Sequence, residues 1–248
     1  MHYSCDWSEL GLTKRNPLGA TGLHDSSFDS VQVSIMDRSC RARVGGVCGD
    51  LAEGTLADIF CRNLESLFLL LDSHQLLESA WPGNIQDGHF DGEDGAGVLR
   101  LYLVGGMLEA RGGSLGSEWP SVSEHLPEPV GLTGAGIRLD GTVAHRLHFA
   151  VLTGFGHFAA RKQFTAQLLV LREAETGRLP ESPERISASI YFEGVRSCLV
   201  RFDATAMVEY ERFGNVASCV VDERRGVFWL YLLNGIVEIE ADAAILSF

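Results

Sequence analysis

The stretch VFWLYLLNGIVEIE, residues 227–240, decides the fold. Two apolar runs flank Asn234-Gly235, and both of those residues tolerate the positive φ of a tight two-residue hairpin. Val227–Leu233 and Ile236–Ile245 are therefore expected to be antiparallel neighbours.

Working outward from this hairpin, more strand-like runs appear. Ile186–Val195, Cys198–Asp203, Met207–Arg212 and Val216–Asp222 precede it, with Arg146–Leu152 and Phe164–Leu171 before them. Glu173–Glu184 is a polar connector. Short strands at close spacing, separated by turn residues, predict an antiparallel meander. Towards the N-terminus, Val31–Met36 alternates apolar and polar residues, and Val98–Val104 runs into a bend at Gly105-Gly106. Arg41–Gly54, Gln86–Gly97 and residues 111–136 read as loops by composition.

One segment reads differently. In Thr55–Ala80, Leu56, Ile59, Phe60, Leu64, Leu67, Phe68 and Leu71 recur at steps of three and four, the spacing of an amphipathic helix. Thr55 suits an N-cap, Asp58 suits the first turn, and Pro82-Gly83 ends the pattern. Ser73-His74 divides it into two helices in the alternative reading. The predicted class is α+β: mainly an antiparallel β-meander sheet with one or two helices (about 55–80) packed on it. The expected organisation is a single domain over 1–248, with a subdivision into an acidic, helix-containing part (1–124) and a β-rich part (125–248). No internal repeat stands out.

The chain has 248 residues, 46% of them hydrophobic and 21% charged, enough apolar material for a sizeable core. No basic and then apolar leader opens it, and its longest apolar run, Leu67–Leu71, is far below a membrane span. Six cysteines form no CxxC pair. These features lead us to expect a cytoplasmic protein with free, mostly buried thiols.

The net charge is −13, and it is uneven. Residues 1–124 hold 18 acids against 8 bases, whereas residues 125–248 hold 15 against 12. Between Val44 and Leu99 Arg62 is the sole base among ten acids. Such a surface repels nucleic acid and draws a basic protein.

Motifs for chemistry are sparse. Gly154-Phe155-Gly156-His157-Phe158-Ala159 has the spacing of a dinucleotide loop, but too few residues follow for a crossover helix, and a hairpin turn accounts for the glycines. Asp87-Gly88-His89-Phe90-Asp91-Gly92 matches only part of a calcium loop, since its third position is His89 and its twelfth is Val98. His145 and His148, three apart on a strand, would face opposite ways. His24-Asp25-Ser26-Ser27 contains the residue types of a catalytic relay, yet adjacent residues on an extended segment point apart. There is no GxSxG. No catalytic residue, cofactor or metal is expected.

Leu23-His24-Asp25-Ser26-Ser27-Phe28-Asp29-Ser30-Val31 and its alternating strand resemble the opening of small β-rich bacterial immunity proteins. So does the tail, with Ile190–Val195, Trp229 and Gly235–Ala241. The resemblance implies a non-catalytic protein that binds and neutralises a cognate toxin by occluding its active site. The acidic residues Asp72, Asp87, Asp91, Glu93 and Asp94 are the expected contacts to a basic toxin surface. The alternative is a small-ligand binder or enzyme, with a pocket between helix and sheet lined by Gly131, Gly134, Gly136, Gly154 and Gly156 and served by His148 or His157. A third reading is an assembly subunit joined through an exposed β-edge.

Overall fold

The structure, a computed structural model, describes residues 3–5, 23, 26–45, 56–79, 84–93, 96–119, 136–172 and 184–248. Sixteen strands and three short helices fall within these residues. In chain order they are β1 (Tyr3–Cys5), β2 (Ser27–Ser34), β3 (Ser39–Gly45), β4 (Leu56–Asp72), α1 (Ser73–Glu78), β5 (Ile85–Glu93), β6 (Ala96–Leu103), β7 (Gly106–Trp119), β8 (Ile137–Arg138), α2 (Gly141–Ala144), β9 (Val151–Phe158), β10 (Gln163–Leu171), β11 (Arg185–Glu193), β12 (Ser197–Asp203), α3 (Ala204–Glu209), β13 (Val216–Asp222), β14 (Val227–Leu232), β15 (Gly235–Glu240) and β16 (Ala243–Ser247). The fold is dominated by antiparallel sheet.

The strands form one continuous ladder, β13-β14-β15-β12-β4-β3-β2-β9-β10-β11-β16-β8, with β7, β6 and β5 following from the other edge of β4. β4 is where the ladder folds over. Its first half, Leu56–Arg62, pairs with β3 and its second, Ser66–Asp72, with β12. The two resulting layers face each other through a buried aromatic seam. Phe155 of β9 meets Phe202 of β12 edge-on at 6.2 Å between ring centroids, and Phe192 of β11 meets Phe228 of β14 at 5.3 Å. Such offset and edge-on ring contacts add to the area that the rings bury.

The helix expected over 55–80 is the long strand β4. Ala57, Ile59, Cys61, Leu64, Leu67, Leu69 and Leu71 point into the core. A positive φ at Asn63 and a register shift between Leu64 and Ser66 break the period of two. The outward positions also carry apolar residues, Phe60, Phe68 and Leu70 among them. A shifted alternation with apolar residues on both sides mimics the three-and-four spacing of a helix. The only helix here is α1, which begins at Ser73 with Asp72 as N-cap. Asp58, expected in a first helical turn, instead holds Arg43 in a buried two-point ion pair at 2.7 and 2.8 Å.

Other expectations change as well. Within the segment 86–97 expected as loop, Gln86–Glu93 and Ala96–Gly97 are strand, and residues 111–119 are strand as well. Of the strand expected over Met207–Arg212, Met207–Glu209 lies in α3 and the rest in the turn that follows. His145 lies in a 3-10 turn over His145–Leu147, with His148 closing it, so the strand expected over Arg146–Leu152 starts only at Val151. Gly154 and Gly156 lie inside β9, and the reversal that follows is made by Ala159–Lys162. The antiparallel pairing of β9 with both β2 and β10 leaves no place for a dinucleotide crossover. In the opening hairpin the reversal falls on Leu233 and Asn234, and Gly235 is the first residue of β15.

An internal repeat, which the sequence hid, organises the whole fold. RLYLVGGMLEARG (100–112) of β6–β7 matches WLYLLNGIVEIEA (229–241) of β14–β15. Before each hairpin stands a short helix capped by an aspartate, Asp72 for α1 and Asp203 for α3. After each helix comes a buried asparagine in the same role. Asn84 accepts from the Phe28 amide at 2.7 Å and donates to the Leu76 carbonyl at 3.1 Å. Asn215 accepts from the Leu152 amide at 2.7 Å and donates to the Leu152 and Met207 carbonyls at 3.2 and 3.4 Å. Unusual backbone also recurs: positive φ at Arg38 and Lys162 in the matching reversals, and at Asn63 and Gly194 in the matching breaks. At those breaks Leu64 donates to the Arg38 carbonyl and Val195 to the Lys162 carbonyl.

The halves are related by a pseudo-two-fold axis that crosses both layers. In one layer β2 pairs with β9 about Gln32 opposite Gly156, and in the other β4 pairs with β12 about Leu69 opposite Val200. Each of those pairs consists of equivalent residues, so each strand meets its own counterpart. Continuous strands β4 and β7 in the first half correspond to the split pairs β11–β12 and β15–β16 in the second.

Candidate functional site

The acids expected to meet a partner separate into two groups. Asp72 is half-buried and occupied by its own helix, accepting from the amides of His74 and Gln75, each at 3.0 Å. Asp87 and Asp91 lie two residues before and two after His89 on β5 and share its outward face, because strand side chains alternate. Glu93 ends β5, while its side chain and all of Asp94 lie outside the described residues. Among the expected contacts, then, the fold places Asp87 and Asp91 together and turns Asp72 to another task.

The outward face that carries them is wide. Eight strands lie side by side in the order β5-β6-β7-β4-β12-β15-β14-β13. One cross-strand row reads Tyr102, Met107, Leu70, Leu199, Glu238, Trp229 and Val220, directly paired from strand to strand. Leu70 is 43% and Val220 46% exposed, high values for aliphatic side chains. Trp229 is held by a hydrogen bond from its indole N–H to Glu238 at 2.8 Å. The neighbouring row carries Arg100 and Glu109, paired at 2.6 Å, then Phe68 and Arg201. An open depression of about 700 Å³ indents the face between Phe68, Glu109, Arg201, Asp203 and Ile236.

The outward face of the other layer holds a groove of about 490 Å³, centred where β2 meets β9. Arg41, Phe60 and Arg62 line one side, and Thr165, Gln167, Ser189 and Tyr191 the other, with Gln32 and Phe158 between. This groove opens on the outside of a sheet, not between a helix and the sheet. Of the glycines expected to line a pocket Gly156 does so. Gly154 lies within β9, Gly136 just precedes β8, and Gly131 and Gly134 lie outside the described residues.

No catalytic constellation forms among the described residues. His157 is fully buried, neither ring nitrogen has a hydrogen-bond partner, and burial lowers its pKa to about 4. The matching position of the first half is Val33, an ordinary core residue. His148 is engaged through Nδ1 with the Ala217 carbonyl. The Asp140 carboxyl is held low by the Thr142 hydroxyl and the Val143 amide in its role as the N-cap of α2. His24 and Asp25 lie outside the described residues, while Ser26 is buried and Ser27 opens β2. Cys40, Cys61, Cys198 and Cys219 are free thiols. Burial raises all four pKa values, to about 12 for Cys61, Cys198 and Cys219, so none is a ready thiolate nucleophile. No group of His, Cys, Asp and Glu side chains able to hold a metal occurs among the described residues, and no helix there is long and apolar enough to cross a membrane.

The chain matches no protein-family model, no curated protein and no solved structure. Geometry is therefore the basis for reading its function. Sequence inspection missed both surfaces. Their members are far apart along the chain and meet only through strand register, as Tyr102 meets Met107 and Leu70 meets Leu199.

Proposed function

We propose that the protein is a non-catalytic binding module of the immunity-protein kind, which neutralises a basic toxin by covering its active site. The observation that carries this reading is the outward-facing row from Tyr102 to Val220 across the eight-stranded face. Eight strands at about 4.8 Å spacing span roughly 34 Å. With a height of roughly 20 Å, that face approaches the ~800 Å² per partner of a standard protein interface.

Charge selects the partner. The face carries Asp87, Asp91, Glu109, Asp222, Glu238 and Glu240 against Arg100, Arg111, Arg201 and Arg196, the last paired with Glu240 at 2.9 Å, on a chain of net charge −13. An apolar centre with an acidic surround fits a basic surface with an apolar anchor.

Co-expression with the product of the neighbouring open reading frame tests the reading. The wild-type chain should relieve toxicity and co-purify in a salt-sensitive complex. Leu70→Asp combined with Trp229→Ala should abolish both while leaving the fold intact, since both side chains are on the outer face. Absence of both complex and relief with the wild-type chain would sink the proposal.

A further inference from the structure

The groove on the opposite layer calls for its own ligand, independent of the partner face. It lies on the pseudo-two-fold axis, so its two sides are built from equivalent positions that have diverged in chemistry. Arg41 corresponds to Thr165 and Phe60 to Tyr191, as their pairing shows: Arg41 opposite Phe60 in the first half and Thr165 opposite Tyr191 in the second. On the axis itself Gln32 corresponds to Gly156. The missing side chain at Gly156 clears the floor of the groove beside Phe158, whose ring a Cβ would approach to 3.3 Å. Elsewhere the halves keep the same residues at structural points, such as Asp72 with Asp203 and Asn84 with Asn215. The two sides of the groove therefore differ in chemistry, as an asymmetric ligand requires.

The groove is polarised. Among the described residues that line it, the charged ones are Arg41 and Arg62, both exposed, on a chain of net charge −13. Arg41 shares one carboxylate with Arg43: Asp58 is 3.6 Å from Arg41 and held by Arg43 at 2.7 and 2.8 Å, so the three together keep a net positive charge. Arg62 lies over the Phe60 ring at 4.7 Å, which orients its guanidinium. The opposite side offers Tyr191 and the neutral hydrogen-bonding groups of Thr165, Gln167 and Ser189. A cationic end, aromatic walls and an uncharged polar end within about 490 Å³ suit one small molecule. We infer that this groove binds a nucleotide-class ligand, its phosphate at Arg41 and Arg62 and its ring against Phe158 and Tyr191.

Thermal unfolding of the full chain with a nucleoside 5′-monophosphate, and separately with inorganic phosphate, tests the inference. At ten times the Kd the nucleotide should raise Tm by about 3–6 °C, and phosphate by clearly less. Titration calorimetry should show Tyr191→Leu weakening binding about tenfold, the scale of one lost stacking contact. Arg41→Ala with Arg62→Ala should remove binding, the single variant Arg62→Gln should weaken it, and Arg224→Ala on a distant turn should leave it unchanged. No shift with the nucleotide, or a shift that survives loss of both arginines, would overturn the site. An equal shift with phosphate alone would overturn the ring end.

Discussion

Replacing Asn215 by alanine tests whether the repeat is a real structural device. Asn215 is fully buried and makes three hydrogen bonds, one from the Leu152 amide and two to the Leu152 and Met207 carbonyls. These bonds tie the start of β9 to the end of α3. At about 1 kcal/mol net per bond, and with the Leu152 amide left buried without a partner, the loss comes to about 3–4 kcal/mol. Asn84, with two such bonds between β2 and α1, should cost about 2–3 kcal/mol. The two asparagines share no partner, so the double variant should lose the sum within about 0.5 kcal/mol. That total is a large fraction of a typical domain's stability, and the double variant should sit near the edge of folding. Urea unfolding at pH 7, followed by tryptophan fluorescence and circular dichroism, measures all three variants. Asn215→Asp serves as a control that keeps the acceptor for the Leu152 amide but loses both donors; it should not recover wild-type stability. A loss below about 1 kcal/mol at either site would refute the reasoning that each half is held by the same buried amide.

Further outcomes follow from single residues. The unfolded chain protonates His157 near pH 6.5 and the folded chain only near 4, so stability should be full above pH 6.5 and fall as pH drops towards 4. The loss through this window is on the order of 3 kcal/mol, and His157→Val, which copies Val33 of the other half, should remove that component from a pH series of urea midpoints. Gly235→Ala should destabilise by more than about 2 kcal/mol, because backbone against backbone cannot move aside cheaply. A Cβ there would sit 2.2 Å from the Arg201 carbonyl oxygen, and Gly106 repeats the geometry at 2.1 Å from that of Leu70. Parallel melting curves of Gly235→Ala and Gly106→Ala should therefore show similar drops, and an unchanged Tm in either would count against the close approach.

Much of the strand content was legible because local pattern and tertiary environment agree. Val216–Asp222 is β13 with the expected bounds, and Phe164–Leu171 differs from β10 by one residue. Where they disagreed, the reading failed for physical reasons. β4 lies in both layers and carries apolar residues on both of its faces, so its pattern lost the period of two. The acidic run Asp87-Gly88-His89-Phe90-Asp91 looks like a loop, yet Phe90 buries against the core and register with β6 holds it extended. Conversely, Met207 and Val208 look like strand residues but follow the cap of Asp203 into a helix.

By itself the sequence determined an antiparallel, sheet-rich chain with an apolar core, hairpins at its turn residues and a strong negative charge. These properties rest on side-chain periodicity, turn chemistry and composition, all of them local or additive. Only the tertiary structure decided the rest. The repeat became visible through matched hydrogen bonds and backbone angles, because its halves share few residues and differ in where strands break. The outward-facing row across eight strands and the groove on the pseudo-two-fold axis exist only through register. A shift of one residue between β4 and β12, or between β2 and β9, would turn their side chains to the opposite face and erase both.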